Sequence, residues 1–164
     1  MEKVKFKQLQ SLKGRAYAAF AKGERLEVPE QDASRLDPIS LAFVGDAYYA
    51  LYLRRRLVQT GIPNVQVLRL LASEFVSAKA QAYVYRHIKE TLDETEASVC
   101  QRARNAYSQA PKSASVAEYH DSTALEALVG YLIMAEKDVR LGGLMDEIYR
   151  FTKEYCAIKH GEKV

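Results

Sequence analysis

Apolar residues recur three and four apart through most of the chain, and no apolar/polar alternation reaches strand length, so the pattern predicts an all-α protein. Residues 7–22 read as an amphipathic helix ended by Gly23, and 24–37, acidic and carrying Pro29, as a linker. The next helix has defined ends: Asp37 suits the cap, Pro38 the first helical position, and Gly61 lies just past the last turn. Helices over 64–75 and 77–90 follow, divided near Ser77, and Asp93 starts another that runs to about Asn105. The stretch 106–120, polar and rich in Ser and Ala, reads as a loop around Pro111 and Lys112. Helices over 122–137 and 139–157 complete the pattern, with a fraying tail beyond.

Two of these helices are apolar nearly all round, and each carries one charge. In PISLAFVGDAYYALYL, residues 38–53, that charge is Asp46; in TALEALVGYLIMA, residues 123–135, it is Glu126. A helix without a polar face belongs in the centre of a bundle. A carboxylate taken there without a partner costs several kcal/mol or stays protonated. Gly45 and Ala47 flank Asp46, and Ala127 follows Glu126 with Gly130 a turn later, so there is room beside each acid for a ligand or hydrated ion. Two such carboxylates suit a hard, oxygen-seeking cation such as Mg²⁺, an ion that activates water and offsets charge on phosphoryl oxygens. Simpler roles compete. Asp46 could pair with an arginine or face a solvent-filled notch, and Thr123-x-x-Glu126 matches a capping box.

Composition narrows the setting. With 164 residues, 48% of them hydrophobic and 27% charged, the chain is an ordinary globular domain with a short appended segment. A chain of this length buries enough surface to fold without disulfides or a structural metal. Cys100 and Cys156 stand far apart, with no CxxC spacing, which argues against a zinc site and for a reducing cytoplasm. The basic start has no apolar core behind it and no run spans a membrane, so a cytoplasmic, membrane-free protein is expected. The net charge of +3 is too small to name a nucleic-acid partner by itself.

At LAFVGDAYYALYLRRRL and STALEALVGYLI the chain resembles the ribonuclease III catalytic domain, and within that family its small Mini-ribonuclease III branch, which has no separate double-stranded-RNA-binding domain. Four blocks match in order: LAFVGDAYY (41–49), SEFVSAKAQA (73–82), RARNAYS (102–108) and YHDSTALEALVGYL (119–132). The resemblance implies an all-α, homodimeric endonuclease domain over residues 36–157, preceded by a basic helix and linker over 1–35 and followed by a tail over 158–164. It implies Mg²⁺ as cofactor, with Mn²⁺ as a substitute. The implied substrate is double-stranded or structured RNA, in particular the precursor of large-subunit ribosomal RNA, with a ribosomal protein as a further candidate partner. It assigns catalysis and metal binding to Asp46 and Glu126. Two other acids of the wider family are replaced here by Ala42 and Thr123, as they are in the small branch. Fewer protein ligands imply an ion that depends more on water and RNA phosphates.

An RNA duplex offers phosphates and 2′-hydroxyls more than base edges. Arg102, Arg104, Asn105 and Lys112, in and beside the polar loop, are the candidate contacts, with Lys79 and Gln81 approaching from another matched block. Arg102 and Arg104 would equally serve as cations at a helix C-terminus. Arg54, Arg55 and Arg56 read as the end of the second helix. The first 25 residues hold seven basic and two acidic side chains, which a solvated helix face accounts for. Phe43 is either a dimer contact or a core residue, and His120 a structural side chain or an RNA contact. Two other readings compete with the nuclease: a catalytically silent RNA-binding dimer of ribosome assembly, and a phosphohydrolase of small esters.

Overall fold

The computed structural model describes residues 6–26, 32–106, 114–159 and 161. Among them α and 3₁₀ helices are the only regular structure, as the hydrophobic pattern predicts. The chain divides into two compact units, Met1–Gln31 and Asp32–Val164. The first contains helix α1 (Phe6–Lys22). Gly23 ends it in the left-handed conformation at φ 67°, and the Glu24 N–H turns back to the Ala19 carbonyl at 2.8 Å.

The second unit holds α2 (Pro38–Gln59), α3 (Val65–Phe75), α4 (Ala78–Ile88), α5 (Glu94–Asn105), α6 (Val116–Met134) and α7 (Asp138–Lys159), with single 3₁₀ turns at Ala33–Arg35 and Lys89–Thr91. Short polar side chains start these helices by accepting otherwise free N–H groups. Asp37 takes the Ser40 N–H at 2.7 Å, with Pro38 in the first turn. Asn64 caps α3, Ser77 caps α4, and Asp93 forms a reciprocal capping box with Glu96 on α5. Glu96 is 1% exposed and its second task is tertiary: both its oxygens accept from Arg140 of α7, at 2.8 and 2.9 Å.

Two expectations are corrected. Helix α6 begins at Val116, well inside the stretch read as a loop, because Ser115 and Glu118 form a capping box there. The Ser115 hydroxyl accepts the Glu118 N–H at 3.2 Å, and the Glu118 carboxylate accepts the Ser115 N–H at 2.8 Å. Thr123 is therefore not a cap; it lies within the helix, and its hydroxyl donates to the Tyr119 carbonyl at 2.9 Å. The second correction concerns which helix is central. From Asp121 to Leu132 every residue of α6 except Glu126 is buried, and α2, α4, α5 and α7 pack around it. Helix α2 lies alongside with only one face inside: Leu41, Ala42, Gly45, Tyr49, Ala50, Leu53 and Leu57 are buried, whereas Phe43 is 82% exposed. Apolarity on every face thus has a different cause in α2, one side of which the described residues of Asp32–Val164 leave exposed. Phe43 is not a core residue.

Candidate active site at a glycine crossing

Helices α2 and α6 touch backbone to backbone. A Cβ on Gly45 would stand 1.8 Å from the Glu126 carbonyl oxygen, and one on Gly130 would stand 1.9 Å from the Leu41 carbonyl oxygen. Glycine is required at both positions because no other residue leaves room for this approach. Asp46 follows one of these glycines, and Glu126 stands one turn before the other, so the crossing brings the two acids of the apolar helices together. Asp46 is exposed and Glu126 partly buried.

The electrostatics follow from that placement. Burial, then the Asp46 charge, push the Glu126 carboxyl up to about 7, while the side chain of Gln81 draws it down. Among the described residues, neither acid is paired with lysine or arginine. Two neighbouring carboxylates, the charge of Asp46 disfavouring ionisation of Glu126, form an oxygen donor set of the kind a divalent cation takes. Neither Ala42 nor Thr123 adds a carboxylate to it: the Ala42 side chain has no oxygen, and the Thr123 hydroxyl commits its hydrogen to the Tyr119 carbonyl. Two neighbours had no signal in the hydrophobic pattern. Gln81 of α4 and Tyr49 of α2 are fully buried beside Glu126, and among the described residues neither Gln81 Nε2 nor Tyr49 Oη makes a close hydrogen bond, Gln81 reaching toward Glu126 and Tyr49 toward Thr152 only loosely.

The predicted RNA contacts are spread over several places. Arg102 is half-buried, and its guanidinium donates to the backbone carbonyls of Leu36, at 3.1 Å, and Ser34, so it anchors the segment leading into α2. Arg104 lies 3.2 Å from the carboxylate of Asp121, which is buried and also accepts from Arg86 at 2.7 Å. Asp121 and Arg86 were not singled out in the sequence, since a contact 35 residues apart leaves no local periodicity. Asn105 is exposed and accepts from Gln101. Lys79 is exposed on α4 and contributes to holding the Glu118 carboxyl below its usual range. Lys112 lies outside the described residues. Arg56 stacks on Tyr52 and Tyr149 at the far end of α2, and the His120 ring lies against Tyr119. Both cysteines are free thiols. No helix among the described residues is long and apolar enough to cross a membrane.

Comparison with known proteins agrees with this architecture. Residues 39–137 match the Ribonuclease III domain. Mini-ribonuclease 3 of Symbiobacterium thermophilum is 44% identical over 119 residues, 72% of this chain and 92% of that protein. Mini-ribonuclease 3 of Brevibacillus brevis is 38% identical over 124 residues, 75% of this chain and 92% of that one. Among solved structures, the crystal structure of a protein from Fusobacterium nucleatum superposes with a TM-score of 0.67 at 30% identity, covering 74% of this chain and 98% of that one.

Proposed function

The chain belongs to the ribonuclease III family and is an endoribonuclease of the Mini-ribonuclease 3 kind, and from that premise we propose that it cuts double-stranded RNA at a site formed by Asp46 and Glu126. The observation that carries this reading is the Gly45–Gly130 crossing, next to which both acids stand, close enough for the Asp46 charge to act on Glu126 and with no lysine or arginine paired to either among the described residues. The family is generally dependent on divalent metal and typically dimeric; for this chain we take Mg²⁺ or Mn²⁺ as the ion, held by Asp46 and Glu126. When bound, such an ion supplies Lewis-acid stabilisation of charge on the phosphoryl oxygens. The exposed Asp46 meets the RNA side of the pair, and Glu126 faces inward. A shared cation would offset the repulsion between the two acids and hold Glu126 ionised, and attack of water on phosphorus would leave a 5′-phosphate and a 3′-hydroxyl.

RNA grip is assigned to cations around this end of α6. Arg86 and Arg104, both held on Asp121, keep 49% and 39% of their side chains exposed, so donors remain for phosphate oxygens. Lys79, Asn105 and Lys112 are the further candidates. Arg102 contributes by fixing the approach to α2. In a homodimer two such sites would cut both strands of one duplex with a short 3′ overhang. Precursor ribosomal RNA of the large subunit is the proposed substrate, with a ribosomal protein as a proposed helper, in the cytoplasm. The test is cleavage of a folded RNA hairpin with Mg²⁺. Asp46→Asn and Glu126→Gln are each expected to lower the rate at least about 100-fold with the circular-dichroism spectrum unchanged. Binding without cuts by the unmodified protein would instead support a silent RNA-binding dimer.

A further inference from the structure

Gln81 is an amide buried on α4 beside the site. It is 1% exposed, between the fully buried Ala80 and Ala82 of α4, and among the described residues its Nε2 makes no close hydrogen bond, only a looser one toward the Glu126 carboxyl, which it draws down. A desolvated donor without a close partner lowers stability, and an apolar side chain of the same length would fill the space without that loss. The group it faces is the Glu126 carboxylate on α6. Tyr49 Oη is the other buried group close to Glu126 without a close hydrogen bond, but it has the Thr152 hydroxyl beside it. Glu126 therefore stands between an exposed carboxylate on its outer side and an interior N–H donor on its inner side.

We propose that Gln81 is the positioning residue of Glu126: its Nε2 donates to one oxygen of the ionised carboxylate and leaves the other turned toward Asp46 and the cation they share. This rests on the reading of Asp46 and Glu126 as the cleavage site. A carboxylate that holds an ion with one oxygen rotates freely unless its other oxygen is tied. Groups that tie such ligands are typically worth 10–100-fold in metal affinity or rate, roughly, when removed. Neither Ala42 nor Thr123 is able to take over, for the reasons given above.

The experiment compares wild type with Gln81→Met, which keeps the length and removes the donor, alongside Asp46→Asn and Glu126→Gln. Without RNA or metal, Gln81→Met is expected to unfold at the same temperature as wild type or higher. On the folded hairpin its kcat is expected to fall about 10–100-fold, with KM for RNA within about twofold, and its half-saturating Mn²⁺ concentration to rise. Wild-type cleavage by Gln81→Met, or cleavage lost only in proportion to melting temperature, would overturn the proposal. So would a wild-type Gln81 side-chain amide whose ¹⁵N resonance does not move when Glu126 becomes Gln, a measurement that holds even if Gln81→Met misfolds. The two levels separate cleanly. If Asp46→Asn and Glu126→Gln still cut, the acidic-pair reading fails; if they are dead while Gln81→Met cuts normally, only the role of Gln81 fails.

Discussion

Glu126 gives the RNA-free, metal-free protein a pH-dependent stability. Its folded pKa of about 7 lies above the ordinary glutamate value of 4.5, so between those values the folded state holds the proton more tightly than the unfolded chain. The resulting stabilisation is complete below about pH 4.5 and is lost as pH rises through 7, an upper figure of roughly 3 kcal/mol. Urea unfolding from pH 4.5 to 8 is expected to show stability declining over that window relative to Glu126→Gln, in which this contribution is absent. A protein whose pH profile matches that of the variant would contradict the assignment. With only two carboxylates in the described site, a Mn²⁺ titration of the RNA-free protein is expected to show weak binding, and a tight stoichiometric isotherm would count against it. Both acids were legible in the sequence because a lone charge in an apolar helix stands out. Gln81 was reached only through its matched block, as an approach to RNA, and its burial beside Glu126 was not legible; Asp121 was not singled out at all, because a salt bridge between distant helices leaves no trace in periodicity.

At the scale of the helices, the crossing of α2 and α6 rests on two missing side chains. Gly45→Ala or Gly130→Ala would drive a methyl to within 2 Å of an opposing carbonyl, and neither backbone is able to yield alone. Each is expected to destabilise by about 3 kcal/mol or more, read as a lower urea midpoint, and to abolish cleavage by parting the acids. The Glu96–Arg140 pair makes a second, separable prediction. Arg140→Ala leaves a fully buried carboxylate without its cation and is expected to cost about 3–5 kcal/mol, while any surviving folded protein retains its cleavage site. Helix starts marked by Asp37, Ser77 and Asp93 were readable because capping is local chemistry. The start of α6 was missed for an instructive reason: Ser115-x-x-Glu118 and Thr123-x-x-Glu126 carry the same signature eight residues apart, and only packing decides which of them opens the helix.

For the whole molecule, the uncovered side of α2 predicts association. Ile39, Phe43 and Leu51 lie in one stripe at multiples of four residues and are 40%, 82% and 55% exposed. Phe43→Asp is expected to convert a dimer to a monomer in analytical ultracentrifugation, with little change in the melting temperature of the monomer, since the side chain is 82% exposed. A dimer that survives Phe43→Asp would move the interface elsewhere. Apolarity was legible in this stripe, but a sequence cannot say whether an apolar face meets its own core or a second copy. One consequence remains. Helix α2 is a single unbroken rod of about 33 Å, with Phe43 and Asp46 on adjoining faces three residues apart. If copies join along that stripe, their two scissile centres are riveted to the seam itself, and the stagger between cuts is measured by rigid helices rather than by a tether. Dilution far enough to part the copies should then turn a clean break into isolated nicks, a change visible on a denaturing gel set against a native one.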